Sequence, residues 1–141
     1  MQQERFEIQD QPSDGEVRFV EDQVDEFNMA TTGLRDYRPL AVFLRDAAGA
    51  LRAGLTGHTW GGCGEVRYLW VREADRGRGV GRALLSAAER EVLARGCGRV
   101  VLSSHTFQAP GFYLKQGYTI VGRAEGYPSG HAQVYLEKLL R

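Results

Sequence analysis

The sequence predicts a domain of mixed α/β (α+β) architecture, in which a mostly antiparallel sheet carries two helices after its middle strands. Two observations support this prediction. Short apolar stretches bounded by glycine, proline or aspartate recur along the 141 residues, as is typical of strands. Between them, from Gly79 to Arg95, the apolar residues change to helical spacing. A chain of this length suits one hydrophobic core, so we expect residues 1–141 to form a single domain.

The first half of the chain is predicted to contain three strands and one short helix. Residues 1–15 are polar and end in a Pro-Ser-Asp-Gly turn, which indicates a loose N-terminal lead-in. Val17 and Phe19 alternate with polar neighbours, as in a half-buried strand, and the following apolar residues return at helical spacing over 21–30. The strands of this half are predicted over 16–20, 40–44 and 51–58.

The second half is predicted to alternate strands with two helices. The first helix runs from Gly79 to Arg95 and has one apolar stripe, with Gly96 placed where a C-terminal glycine is expected. The second is short, covers residues 110–115 and stops at Gly117. The strands of this half are predicted over 66–71, 99–104, 118–123 and 133–139, with a loop at 126–131.

Charge and cysteine usage exclude several classes of protein. Eighteen basic residues balance eighteen acidic ones, which argues against nucleic-acid binding driven by net charge. No apolar run approaches the roughly 20 residues that span a bilayer, and the N-terminus lacks a signal-peptide pattern, so we expect a cytoplasmic protein without a membrane partner. Cys63 and Cys97 are isolated from each other and from histidines at zinc spacing, so no metal site is expected.

A glycine-rich loop between a predicted strand and the long helix carries the sharpest chemical signal. It reads Arg-Gly-Arg-Gly-Val-Gly over residues 76–81. Glycines let the backbone approach a ligand closely, and the free N–H groups of a helix start form an anion site. A dinucleotide fingerprint fails because Arg82 replaces its third glycine, and a phosphate-binding P-loop fails because no Gly-Lys-Ser/Thr follows. Two interpretations of this segment remain, a flexible turn and a pyrophosphate-binding loop.

Two linked segments resemble the GNAT (GCN5-related) N-acetyltransferase family. Residues 68–85, Tyr-Leu-Trp-Val-Arg-Glu-Ala-Asp-Arg-Gly-Arg-Gly-Val-Gly-Arg-Ala-Leu-Leu, are similar to the family's motif A. Residues 109–118, Ala-Pro-Gly-Phe-Tyr-Leu-Lys-Gln-Gly-Tyr, are similar to its motif B, in the right order and separation. The resemblance implies a six- to seven-stranded, mostly antiparallel sheet flanked by helices, with central strands that splay apart.

The resemblance also implies a binding site for acetyl-CoA as cosubstrate. The glycine loop would hold the pyrophosphate, and the end of the preceding strand would pair with the pantetheine amides as an added strand does. Many family members have an asparagine where this chain has Thr106, so Gln108 is a candidate substitute. The residues expected to bind the cosubstrate are Leu69, Trp70, Val71, Arg76, Gly77, Arg78, Gly79, Val80, Gly81, Arg82, Thr106 and Gln108.

Tyr113 and Glu65 are the first candidates for proton transfer. Tyr113 matches the family's usual general acid, which would protonate the leaving sulfur, although a core aromatic is the alternative interpretation. Glu65 lies eleven residues before Arg76, where histone-type members carry a strand glutamate, and is the first candidate for the base. A surface carboxylate is its alternative. His105 and His131 are further candidates for the base.

The resemblance therefore implies an acyltransferase that moves acetyl from acetyl-CoA to a primary amine by direct attack. The acceptor would be a small-molecule amine or a protein amine. A non-catalytic acetyl-CoA sensor or scaffold is the alternative, and it would not need Tyr113. Family analogy also suggests a homodimer, in which strands such as 133–139 would pair across a twofold axis.

Overall fold

The computed structural model describes residues 3–140, which divide into two compact units, one that ends at Arg35 and one that begins at Asp36. The first unit contains one helix, α1, over Asp14–Thr32. In the described part of the chain, no helix is both long and apolar enough to cross a membrane. The prediction that residues 1–141 form one domain stays a prediction.

Helix α1 replaces the strand that was predicted over 16–20. Ser13 caps it, because its Oγ accepts a hydrogen bond from the Glu16 N–H at 3.2 Å while the Glu16 carboxylate accepts one from the Ser13 hydroxyl. This Ser13 cap starts a helix that continues to Gly33, whose φ of 75° ends it. The strand prediction was wrong because it rested on the alternation of Val17 and Phe19 and disregarded the helix-capping signal at Ser13.

The second unit is a six-stranded sheet with helices, which confirms the predicted fold class. The strand order is β1-β2-β3-β4-β6-β5, and every neighbouring pair is antiparallel except β3 and β4. The strands are β1 Arg38–Arg45, β2 Leu51–Trp60, β3 Cys63–Val71, β4 Arg99–His105, β5 Thr119–Tyr127 and β6 His131–Leu139. The helices are α2 Val80–Ala94 and α3 Pro110–Lys115, with short 3₁₀ turns at Glu73–Asp75 and Pro128–Gly130.

Strand β6 is an interior strand. It pairs with β4 on one side and β5 on the other, so its backbone groups are already used. The suggestion that residues 133–139 pair across a twofold axis was therefore wrong, and the edges of this sheet are β1 and β5. Sequence order concealed this, because the last strand of the chain inserts between two earlier ones.

Helix α2 packs its apolar stripe against the sheet and forms the centre of the core. Its buried residues are Leu84, Leu85, Ala88 and Val92. Gly64 in β3 allows this close packing, since a Cβ there would lie 2.6 Å from a methyl carbon of Val92. Just after α2 ends, the Arg95 guanidinium donates to Thr59 Oγ1 and to the carbonyls of Arg38 and Pro39. These contacts fix the C-terminal end of α2 against the start of β1 and the end of β2.

Strands β3 and β4 separate after a very short paired segment. Only Cys63, Gly64 and Glu65 pair with β4, opposite Arg99–Val101. Just beyond them the β2–β3 register shifts, so that Arg67 has no partner residue on β2. Such a bulge bends its strand and increases the local twist. The two parallel strands therefore open into a gap toward their carboxyl ends, as the family resemblance implied.

Candidate active site

A cleft of about 990 Å³ occupies the gap between β3 and β4. It is bounded by the end of β3, the glycine loop, the first turn of α2, the end of β4 and helix α3. The cleft brings together most of the residues predicted from the sequence to bind the cosubstrate or to transfer a proton. Those that line it are Leu69, Trp70, Val71, Arg76, Gly77, Arg78, Gly79, Val80, Gly81, Arg82, Gln108 and Tyr113.

The glycine loop requires glycine at two positions. Gly77 and Gly79 have φ values of 73° and 81°, in the left-handed region that side chains disfavour. A Cβ on either residue would meet no atom within 4 Å, so the space above the loop is open. Helix α2 begins directly afterwards, at Val80. The N–H groups of its first turn have no intrahelical acceptor, and they add the positive end of the helix dipole to the cleft.

A buried carboxylate anchors the start of this loop. Asp75 is 3% exposed, and its two oxygens accept hydrogen bonds from Arg52 at 2.8 and 3.3 Å and from Arg72 at 2.7 Å. These guanidinium groups lower the pKa of Asp75 to about 2. Next along the chain, Arg76 donates its Nε–H to the Val71 carbonyl at 2.9 Å. The loop is thus tied to β2 and to the end of β3.

We expect the contribution of Asp75 to stability to disappear in acid. Because its folded pKa lies below the unfolded value of 3.8, the contribution is complete above about pH 4 and is lost as the pH falls toward 2. Asp75→Asn should therefore lower the Tm at neutral pH, and its Tm should converge on that of the wild type between pH 4 and pH 2. Thermal unfolding followed by circular dichroism from pH 2 to 7 measures this.

The matched control for this measurement is Asp22→Asn, at an exposed position of α1. Its Tm should follow that of the wild type across the whole range. A deficit in Asp75→Asn that is as large at pH 2 as at pH 7 would contradict the role of the ionised carboxylate.

Three arginines around the loop present positive charge to the cleft. The guanidinium groups of Arg78 and Arg82 make no hydrogen bond or ion pair within residues 3–140, and Arg76 uses only its Nε–H. Arg52 and Arg72, by contrast, share the carboxylate of Asp75 as their ion-pair partner. The cations at positions 76, 78 and 82 can therefore bind an anionic ligand together with the loop N–H groups.

Tyr113, on α3, forms part of the wall of the cleft opposite the glycine loop. Its ring packs against Phe112 and Tyr118, with centroids 5.0 and 5.8 Å apart. Among the described residues its hydroxyl has no hydrogen-bond partner. Burial raises the pKa of Tyr113 above the ordinary tyrosine value, so the hydroxyl keeps its proton at neutral pH. This side chain is a proton donor that the fold leaves uncommitted.

Gln108 lines the cleft, whereas Thr106 does not. The side-chain oxygen of Gln108 accepts a hydrogen bond from the backbone N–H of His105 at 2.7 Å. No residue in the described range accepts a hydrogen bond from the side-chain nitrogen of Gln108. Thr106 accepts the Ala132 N–H at 3.0 Å, and its hydroxyl lies 2.9 Å from His131 Nδ1. The Thr106 hydroxyl thus connects the residue that follows β4 to the start of β6.

Glu65 also lies outside the cleft lining. It sits on the last residue pair that joins β3 to β4, and its carboxylate is 3.3 Å from Nε2 of His58, its cross-strand partner on β2. Tyr37 stacks on the His58 ring at 5.0 Å. The structure therefore places a carboxylate–imidazole pair at the closed end of the strand gap.

Sequence reasoning missed several residues that line the cleft. Arg67 is exposed on the bulged part of β3, and Ser103 and Ser104 lie on β4 facing the gap. Phe112 and Gln116 complete the wall formed by α3 and the turn that follows it. The signal for Arg67 would have been a charged residue in the otherwise apolar run 66–71. The bulge that aims it, however, is a property of strand pairing.

The family model, the related sequences and the solved structure that match this chain are all acetyltransferases. Residues 5–118 match the model of the acetyltransferase (GNAT) family. Acetyltransferase Atu2258 of Agrobacterium fabrum is 34% identical over 119 residues, which cover 84% of this chain and 87% of that protein. Blasticidin-S acetyltransferase of Streptomyces morookaense is 35% identical over 113 residues, 77% of this chain and 83% of that protein. A crystal structure of an acetyltransferase from Bacillus cereus is 30% identical, with a TM-score of 0.78 and coverage of 95% and 98%.

Proposed function

Since the chain belongs to the GNAT acetyltransferase family, and is an acyltransferase with acetyl-CoA as cosubstrate, we propose that it acetylates a primary amine by direct attack on the thioester. One observation carries the proposal. The gap between β3 and β4 leads directly onto the glycine loop, and Tyr113, whose hydroxyl has no partner among the described residues, lines the same cleft. The relative named as a blasticidin-S acetyltransferase supports a small-molecule acceptor, with a protein amine as the second candidate.

The residues of the cleft suit the pyrophosphate and the pantetheine arm of an acetyl-CoA molecule. The loop N–H groups and the arginines at 76, 78 and 82 suit the pyrophosphate. The backbone of Leu69, Trp70 and Val71 pairs with β2 but lies beyond the part of β3 that pairs with β4, so its side toward β4 suits the amides of the pantetheine arm. The side-chain amide of Gln108 is our candidate for a further polar contact, since Thr106 is engaged with β6.

The bound thioester supplies an activated acetyl group, and the chain's own residues move protons. An amine of pKa near 10.4 must lose a proton before it attacks, which costs about 4–5 kcal/mol at pH 7. Glu65, with His58 beside it, is our candidate for the exit of that proton. Because Glu65 is outside the cleft lining, we propose that water carries the proton to it. Tyr113, whose raised pKa keeps it protonated in the resting enzyme, is our candidate to protonate the leaving sulfur.

The non-catalytic sensor is the competing proposal. A sensor needs the glycine loop but has no use for the Tyr113 hydroxyl. The presence of this hydroxyl in the cleft lining therefore favours the enzyme. A cytoplasmic location and a homodimer also remain proposals of ours. For the dimer, the edge strands β1 and β5 replace β6 as the surfaces that could pair.

The test combines calorimetry of acetyl-CoA binding with release of free thiol over a panel of amines. We expect binding, and thiol release that depends on one class of amine. A folded protein that does not bind acetyl-CoA would contradict the proposed function. Binding without thiol release on any amine or peptide would instead favour the sensor.

A further inference from the structure

We propose that the acceptor is a small amine that also carries an oxyanion, as amino acids and aminophosphonates do, and that Arg67 binds this oxyanion. The inference rests on the proposed function and names the acceptor class for the same cleft. It follows from the position of Arg67, from its lack of a partner among residues 3–140, and from the charges that line the rest of the cleft.

Arg67 lies at the end of the cleft opposite the glycine loop. It is two residues beyond Glu65, where pairing with β4 stops, and four residues before Val71, where β3 ends. Four residues of strand span roughly 13 Å. The phosphates that the loop suits would therefore be remote from Arg67, whereas the reacting amine has to approach the thioester at this closed end of the gap.

The β-bulge directs Arg67 toward the cleft. Thr56 pairs with Tyr68 and Gly57 with Val66, so Arg67 is the extra residue between two ladder positions. Gly57 is needed for this arrangement, since a Cβ there would lie 1.9 Å from the Glu65 carbonyl oxygen. Bulges commonly re-aim a side chain in this way beside a functional site. The exposed Arg67 side chain lines the cleft as a result.

The Arg67 guanidinium has no anion to neutralise it. It makes no hydrogen bond or ion pair with any residue from 3 to 140, and the neighbouring carboxylate of Glu65 faces His58 at 3.3 Å. The only carboxylate that lines the described cleft, Asp75, is held by Arg52 and Arg72. A polycationic acceptor would thus meet positive charge without a free carboxylate, while an oxyanion would find an unpaired guanidinium fork.

The same charge favours the chemistry of such an acceptor. A cation close to an amine disfavours the ammonium form and lowers the pKa of that amine. Arg67 would therefore hold the acceptor by its oxyanion and ease the loss of the proton that direct attack requires. Tyr68, 76% exposed beside Arg67 in the cleft lining, offers an aromatic surface for the remainder of the acceptor.

The test compares acids with their neutral counterparts in a thiol-release assay. The probes are the common amino acids, their carboxamides, aminomethylphosphonate and spermidine. We expect at least one anionic amine to be preferred over its uncharged counterpart and over spermidine by about tenfold or more in kcat/KM. The inference is overturned if carboxamides or spermidine are acetylated in preference to the anionic amines, or if no anionic amine is acetylated at all.

Variants of Arg67 assign the preference to this side chain. Arg67→Gln should raise the KM for the preferred acid by about tenfold or more and collapse the acid-to-amide ratio toward one, while Arg67→Lys should retain part of it. The exposed Arg123→Gln on β5, outside the cleft, should keep the full ratio. Weaker acetyl-CoA binding by Arg67→Gln with the ratio intact would assign Arg67 to the cosubstrate and overturn the inference. Failure of the wild type to bind acetyl-CoA in calorimetry would instead refute the proposed function itself.

Discussion

Replacing Gly79 with tryptophan is expected to abolish acetyl-CoA binding, with a loss of at least ~100-fold in affinity. The indole would fill the open space above the loop and block the N–H groups at the start of α2. Each hydrogen bond from such a group to a charged oxygen contributes about 1.5–3 kcal/mol, so losing two of them gives a change of this size. Calorimetric titration with acetyl-CoA measures the loss directly.

The control for this variant carries the same backbone strain at a site outside the cleft. Gly96, after the C-terminus of α2, has a φ of 82° against 81° at Gly79, and a Cβ there also meets no atom within 4 Å. Gly96→Trp should lose the same roughly 1–2 kcal/mol of stability and bind acetyl-CoA normally. Equal affinities of the two variants would show that the loop does not hold the cosubstrate.

Replacing Tyr113 with phenylalanine should lower kcat by about 100-fold while acetyl-CoA affinity stays close to the wild-type value. The phenylalanine ring keeps the contacts with Phe112 and Tyr118, so only the free hydroxyl is removed. Losing a positioned proton donor at a leaving group typically costs 10²-fold or more. Steady-state thiol release with a saturating amine, beside calorimetric titration, separates the loss of rate from any loss of binding.

Tyr118→Phe is the matched control, because it removes a neighbouring hydroxyl that has a structural partner. The Tyr118 hydroxyl donates to the Glu89 carboxylate at 2.9 Å and does not line the cleft. This variant should lose on the order of 1 kcal/mol of stability and keep its turnover. An unchanged kcat in Tyr113→Phe would remove Tyr113 from the mechanism and favour the sensor.

Sequence reasoning worked where chemistry is local to a short segment. The Arg-Gly-Arg-Gly-Val-Gly loop needs positive φ at Gly77 and Gly79, and the helical stripe that follows it is unambiguous, so both the loop and α2 were predicted. The prediction of a strand over 16–20 was wrong although the helix signal there is also local, since Ser13 caps the helix by accepting the Glu16 N–H. Two signals competed there, and apolar alternation was given too much weight.

Features that depend on long-range pairing could not be predicted. The insertion of β6 between β4 and β5 joins residues far apart in sequence, and no local pattern marks it. The placement of Arg67 in the cleft and of Glu65 outside its lining depends on a register shift between β2 and β3. A one-residue change in register moves side chains to the opposite face, so spacing from Arg76 alone could not locate Glu65 relative to the cleft.

The brief pairing of β3 with β4 makes the sheet two three-stranded halves with a weak seam. Within each half the strands pair along most of their length, but only three residue pairs join the halves directly. A ligand that lies along the seam adds bonds where the fold has fewest, so it acts as a removable cross-link. By mass action, a ligand at 100 times its Kd stabilises the folded state by about 2.7 kcal/mol. Acetyl-CoA bound along this seam, as we propose, would therefore make the free energy of unfolding of the enzyme depend on the concentration of its cosubstrate.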